Sequence, residues 1–191
     1  MDALDALLNR VSAPRLTEPG PTAEQRELMF KAALRAPDHG QLRPWRFLTI
    51  EDQAREQLGE LFVQALLAGA EVPTQAALDK ARAMPLRAPL MIVVIAVVQD
   101  HYKVPAQEQV LAAGCAAHAI ELAAYAQGVG VVWRTGDMAY NSTVAAGLGL
   151  ASHEQIVGYL YLGTPERELR TPAPLEYADF VASWSAKSQA E

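Results

Sequence analysis

Arg10, Ser12 and Arg15 are spaced to hold an anion. They lie on Asn9-Arg10-Val11-Ser12-Ala13-Pro14-Arg15-Leu16, a stretch that Pro14 keeps out of a helix. On extended chain Arg10 and Ser12, two apart, can face one side. A phosphate monoester suits that set, because guanidinium forks give short charge-assisted bonds and a hydroxyl completes the shell. The plain alternative is a solvated helix end, where arginine favours the negative pole of the macrodipole.

A second segment reads Arg35-Ala36-Pro37-Asp38-His39-Gly40-Gln41-Leu42-Arg43-Pro44-Trp45-Arg46-Phe47. Pro37 and Pro44 restrict the loop at both ends, so its side chains sit in a defined geometry. Arg35 and His39 could hydrogen-bond the polar edge of a planar ligand. A capped helix end with a surface histidine is the alternative, and Trp45 reads as core as readily as contact. The third segment, Gly128-Val129-Gly130-Val131-Val132-Trp133-Arg134-Thr135-Gly136, fails the dinucleotide fingerprint. Trp133 holds the third glycine position, and the segment enters a strand instead of leaving one. What remains is a strand ending at Trp133, Arg134 and Thr135, suited to aiming a backbone amide at a ring nitrogen, with Arg134 free for an anion. An ordinary strand-to-turn boundary is the competing reading. Together the segments look like parts of one site for a planar ligand with a phosphate tail.

Other chemistries find little support. His39, His101, His118 and His153 lack metal-ligand spacing, and no serine sits in a G-x-S-x-G context. Cys115, in an alanine-rich stretch, reads as a small buried residue. Lys103-Val104-Pro105 is a helix-entry loop or a pocket lining.

The elements that must position these residues follow from periodicity. Asp2–Asn9 is a short amphipathic helix. Thr22 and Gln25 make a capping box that starts a helix running to Arg35, which Pro37 stops. Trp45–Ile50 alternates as a strand, with Trp45, Phe47 and Thr49 on one face and Leu48 and Ile50 on the other. Asp52–Ala70 and Thr74–Met84 are helices. Leu90–Val98 is a central strand buried on both faces. Pro105–Gln127 is the longest helix, apolar nearly all round and hence buried, with Gly128 as its stop. Val129–Arg134 and Gln155–Leu162 are strands and Ser142–Leu148 a short helix. The proline-punctuated tail from Thr164 ends in a short turn or arm over Glu176–Trp184. The pattern predicts one domain over residues 1–191, α+β of the three-layer α/β sandwich type.

Composition agrees. Of 191 residues, 51% are hydrophobic and 20% charged, which suits a globular chain. The net charge of −6 comes with no lysine or arginine run, so a nucleic-acid partner is not expected. One cysteine allows no intrachain disulfide. Met1–Asp5 carries acids and no basic stretch before an apolar run, so a signal peptide is not expected, and Pro89–Val98 is too short to span a bilayer. The expected location is the cytoplasm, with no membrane partner.

The three segments, in order and covering most of the chain from Met1 to about Gly163, resemble the nitroreductase family. The strings R-A-P-D-H, K-V-P and W-R-[ST]-G are most similar to its YdjA-like small subgroup. The resemblance implies a central, mostly antiparallel sheet flanked by helices and an intertwined homodimer with FMN sites at the interface. It implies that Arg10, Val11 and Ser12 hold the FMN phosphate and ribityl end, that Arg35 and His39 contact the flavin, and that Trp133, Arg134 and Thr135 complete its pocket. A cation near the ring would stabilise the reduced, anionic flavin. The implied reaction is ping-pong hydride transfer from NADH or NADPH to FMN, then to a nitroaromatic, quinone or related acceptor. No catalytic side chain is implied, because the flavin carries the chemistry. The alternative is a non-catalytic flavin-binding sensor, storage or interaction module. The chain departs from the family pattern at Val11 (usually arginine), at Arg43 (usually glutamine) and at Ala106, where a larger residue would narrow the pocket. The family's C-terminal basic phosphate ligand has no clear counterpart in the sequence beyond Arg167 and Arg170.

Overall fold

The run Leu90–Val97 is buried along almost its whole length and forms the spine of the molecule. The computed structural model describes residues 1–185; residues 186–191, which the one-domain expectation includes, lie outside the described residues. In chain order the elements are α1 (Ala3–Asn9), β1 (Leu16–Thr17), α2 (Ala23–Ala33), β2 (Trp45–Glu51), α3 (Gln53–Leu67), α4 (Gln75–Ala83), β3 (Leu90–Val97), α5 (Ala106–Ala126), β4 (Gly130–Arg134), α6 (Ser142–Gly147) and β5 (Glu154–Pro165). β2 pairs with β3, β3 with β5, and β5 also with β4 and β1, every pairing antiparallel.

β3 shows why an antiparallel strand can be apolar throughout. Leu90, Ile92, Val94 and Ala96 meet Met29 and Ala33 of α2 and the alanines and Ile120 of α5. Met91, Val93 and Ile95 meet Leu58 and Phe62 of α3, Ala81 of α4 and Val144 of α6. Both faces are covered by helices, so neither needs polar residues. This is the three-layer α+β arrangement expected from the sequence. β2 divides as its alternation predicts: Trp45 and Phe47 join the α2/α5 layer, Leu48 and Ile50 the other.

Local signals set several boundaries. Thr22 Oγ1 accepts from Gln25 N–H (3.2 Å) while Thr22 N–H donates to Gln25 Oε1 (2.8 Å), the capping box read from sequence. Asn141 Oδ1 accepts from the N–H groups of Thr143 (2.9 Å) and Val144 (3.2 Å) and starts α6. Gly128 takes the left-handed conformation (φ 73°) that ends α5.

One expectation needs correction. α5 is not buried nearly all round within the chain: Leu111 is 61% exposed, and Cys115 and His118 are exposed. An alanine-rich helix lacks the polar contrast that would mark its open side, so its pattern overstates burial. Cys115 is therefore a surface residue. β5 is also longer than expected, and the tail has a single helical turn at Tyr177–Asp179 with Leu175, Phe180 and Trp184 exposed.

Candidate functional site

Ala13 N–H donates to the carbonyl of Val131 (2.9 Å), which fastens the Arg10–Arg15 segment along β4. Glu166 N–H donates to the carbonyl of Arg15 (3.2 Å), and Leu16 pairs with Pro165, so the segment is also tied to the end of β5. Between them opens a cavity of about 500 Å³, lined by Ser12, Pro14 and Arg15 on one side and Arg167, Leu169 and Arg170 on the other. Three guanidinium groups and a hydroxyl therefore converge on one space. Arg15 Nη1 lies 3.7 Å from Glu166 Oε2, but both side chains are more than half exposed, so this ion pair holds Arg15 weakly.

Arg10 is placed differently from Ser12. Its guanidinium turns toward α5, with Nη1 3.6 Å from Oε1 of Glu121. Glu121 is only 4% exposed. Burial pushes its carboxyl above the usual range, and the charges of Arg10 and His118 work against that rise. Arg10 Nη1 is itself buried and makes no hydrogen bond, which leaves an unused donor beside the segment. Val11 packs in the interior and can offer a ligand only its backbone.

Arg35 and His39 sit toward the other end of α5. His39 Nδ1 lies 2.7 Å from Glu108 Oε2 in the first turn of that helix. Glu108 and Glu121 are about 20 Å apart at 1.5 Å per residue. One chain therefore does not bring His39 to Arg10. Arg35 lines two hollows. One is a polar cleft of about 290 Å³ with Asp38, Gln41, Arg43 and Trp45. The other is an apolar trough of about 660 Å³ with Leu111, Cys115, His118 and Leu122.

The third segment splits across the sheet. Trp133 packs its indole toward Gly114 of α5 and over Gly158 of β5, among the residues of the α2/α5 layer. Arg134 points to the opposite face, where its charge acts on buried Tyr161. Thr135 is exposed, and Gly136 (φ 69°) turns the chain away. What Trp133–Thr135 can present to a ligand beside Ser12 is mainly backbone and Thr135.

Sequence reasoning missed two supports. Asp38 braces its loop: Oδ1 accepts from Leu42 N–H (3.2 Å) and Oδ2 from Arg43 N–H (2.7 Å). An aspartate entering a proline-bounded loop was the available signal. Gln109, 1% exposed, holds the Gln99–Val104 loop by accepting from Gln99 N–H (2.8 Å) and donating to the carbonyls of Gln99 (2.8 Å) and Val104 (3.2 Å). No local pattern marks a buried glutamine in an alanine-rich helix.

The family model described as "Nitroreductase family" matches residues 10–164, from the first arginine of the cavity segment to the end of β5. The chain belongs to the nitroreductase family. It is 45% identical over 172 residues to "Putative NAD(P)H nitroreductase YdjA" of Escherichia coli K12, covering 90% of this chain and 92% of that one. A Haemophilus influenzae protein named "Putative NAD(P)H nitroreductase" is 37% identical, covering 95% and 98%. Among solved structures, the nitroreductase-like family protein from Bacillus cereus superposes with a TM-score of 0.82 at 20% identity, over 97% of each chain. A nitroreductase-type protein of Desulfovibrio desulfuricans, solved in complex with FMN, gives 0.72 at 22% identity, over 96% and 97%. At those identities the structures establish the shared fold. Membership makes this nitroreductase-family chain an oxidoreductase, as the resemblance implied.

Proposed function

We propose that this chain is an FMN-dependent NAD(P)H oxidoreductase, working as a homodimer whose two flavin sites are each built from both copies. The observation that carries this reading is the Ala13–Val131 hydrogen bond, which sets Ser12 and Arg15 on a cavity that Arg167 and Arg170 close from the opposite side. FMN fits this donor set. Its phosphate monoester suits the three guanidinium groups and the hydroxyl, and the cavity volume falls in the usual range for small-molecule sites. Arg10 does not line this cavity; its guanidinium, turned toward Glu121, adds positive charge behind the segment.

When bound, FMN supplies the redox chemistry, taking hydride from NADH or NADPH and passing electrons in ping-pong fashion to a nitroaromatic, quinone or related acceptor. The protein's own groups bind and orient. Ser12, Arg15, Arg167 and Arg170 hold the phosphate end, with Arg10 behind them, positioned by Glu121. The backbone of Trp133–Thr135 would offer the flavin hydrogen-bonding groups. Arg35 of the partner subunit and His39 of the partner subunit serve its polar edge. No side-chain acid or base is required.

Distance supports the shared site. About 20 Å of α5 separates the two groups in one chain, and a second copy crossing α5 near its middle brings them together. The exposed residues Leu111, Cys115 and His118, with half-buried Leu122, form the stripe such a crossing would cover. Among the described residues no helix is long and apolar enough to cross a membrane. We propose a cytoplasmic location on the family resemblance, with which a single cysteine, allowing no intrachain disulfide, is consistent. The test is colour. Purified protein should be yellow, or become so with added FMN, and should bleach anaerobically with NADH or NADPH. Protein that takes up no FMN defeats the site assignment, and protein that stays yellow with both reductants defeats the catalytic one.

A further inference from the structure

We propose that Arg35 and Arg43 form a subsite for the anionic substituent of an aromatic electron acceptor, so that carboxylated acceptors are favoured over neutral ones. The proposal rests on the flavoenzyme reading above and deepens it by naming a substrate class.

Arg35, Gln41, Arg43 and Trp45 line one polar cleft with Asp38. Most of the chain's ion pairs occupy other cations: Arg10, Arg15, Arg26, Lys31, Arg46 and Arg82 each face a carboxylate. Among the described residues, neither the Arg35 nor the Arg43 guanidinium has such a partner. The one acid in the cleft, Asp38, directs both oxygens to the backbone N–H groups of Leu42 and Arg43. The neighbouring Glu108 is engaged by His39. Two guanidinium forks with no acid of their own are the donor set that takes a carboxylate bidentately.

The loop that presents Arg43 is fixed. Gln41 (φ 54°) and Arg43 (φ 50°) both lie in the left-handed region, which side chains other than glycine adopt rarely and only where the surroundings hold them. Those surroundings are the Asp38 brace, the Gln99 Nε2 donation to the Leu42 carbonyl (3.0 Å), and the Trp45 N–H donation to the Arg43 carbonyl (2.8 Å). Gln99 is in turn held by buried Gln109. Trp45, 8% exposed, supplies a rigid floor.

Position selects the source of the anion. Arg35 also borders the apolar trough on α5, and the flavoenzyme reading puts it at the ring's polar edge. On that reading an anion held between Arg35 and Arg43 would sit on the ring side of the site, beside the residue that serves the flavin edge. That matches a substituent on an acceptor. The 2′-phosphate of NADPH stands at the far end of its dinucleotide from the nicotinamide.

The experiment uses FMN-loaded enzyme, comparing kcat/KM for 4-nitrobenzoate with that for 4-nitrobenzyl alcohol, and for NADPH with that for NADH on the neutral acceptor. The wild type should prefer the nitrobenzoate, less so as salt is added. Arg43→Gln should cut the nitrobenzoate-to-alcohol ratio at least fivefold, through KM, and Arg43→Lys should keep most of it. Spectroscopic titration of the oxidised holoenzyme with 4-nitrobenzoate, without reductant, should show the same loss of affinity. Equal ratios in wild type and Arg43→Gln overturn the proposal. A shift confined to the NADPH-to-NADH ratio also overturns it, by assigning the cleft to the nucleotide. Failure of the flavoenzyme reading would appear earlier, as no FMN uptake or no bleaching before any acceptor is added.

Discussion

The indole of Trp133 occupies the space that a side chain on Gly158 would need. A Cβ at position 158 would stand 2.7 Å from Trp133 Cδ1 and 3.0 Å from Cε2. Trp133 pairs with Leu160 across β4 and β5, so Gly158 is its diagonal neighbour on the same face. The glycine is there for space, and its absence of bulk lets the tryptophan lie flat between β5 and α5.

Gly158→Ala should therefore destabilise the fold by about 1–3 kcal/mol, the usual range for overpacking a core. Urea unfolding followed by tryptophan fluorescence measures it. An unchanged midpoint with an unchanged slope would show that the indole has somewhere else to go.

The Arg46–Glu154 pair predicts an acid dependence. Arg46 Nε and Nη2 donate to the two oxygens of Glu154 (2.6 and 2.7 Å), and Ala151 N–H donates to Oε2 (2.9 Å). The arginine holds this carboxyl down at about 2. A folded-state value below the ordinary one means the contribution is fully present above about pH 4.5 and is lost as pH falls toward 2. Glu154→Gln should cost about 1–2 kcal/mol at neutral pH, kept modest because Arg46 remains one-third open to solvent. It should also flatten the stability curve between pH 5 and 2, roughly the window linkage assigns to this group. A variant as acid-sensitive as the wild type would remove Glu154 from the account.

These cases show where the sequence was legible. β3, β2 and the capping box at Thr22 were readable because each carries its own periodic or local signal. The open face of α5 was not, since alanine looks alike buried or exposed. The Arg10–Arg15 segment could be singled out from sequence as the proposed phosphate side of the site, yet Arg167 and Arg170, which line the same cavity as Ser12 and Arg15, lie on an irregular tail brought in by the β1–β5 pairing. Their sequence identified two spare arginines and nothing about where they would point. Arg10 read as an anion ligand, and the structure adds a competing partner in Glu121, far along the chain.

That partner changes how Arg10 should be tested. Arg10→Ala should lower FMN affinity by about 1.5–3 kcal/mol, roughly tenfold to over a hundredfold. It also strands the buried Glu121 carboxylate without its counter-charge, which costs stability on its own. The double variant Arg10→Ala with Glu121→Gln removes that second effect. Flavin retained after dialysis of the double variant reports on the ligand contact alone, and wild-type occupancy there would discard the assignment of Arg10 to FMN.

The last prediction concerns the exposed stripe of α5. Leu111, Cys115, His118 and Leu122 recur at helical spacing on a face that the chain itself leaves open. The same helix holds the Arg10 end and the His39 end about 20 Å apart, so covering the stripe with a second copy would also complete each flavin site. Assembly and flavin binding should then fail together. Leu111→Glu with Leu122→Glu places like charges where two copies would meet, and desolvating them opposes association. Light scattering with simultaneous flavin absorbance should show the wild type as a yellow dimer and the variant as a colourless species near the chain mass of 20.7 kDa. Circular dichroism of the variant should match the wild type, since Leu111 is exposed and Leu122 only half-buried. A monomer that keeps its flavin would refute the shared site, because one chain would then hold FMN with the Arg10 and His39 groups at opposite ends of α5.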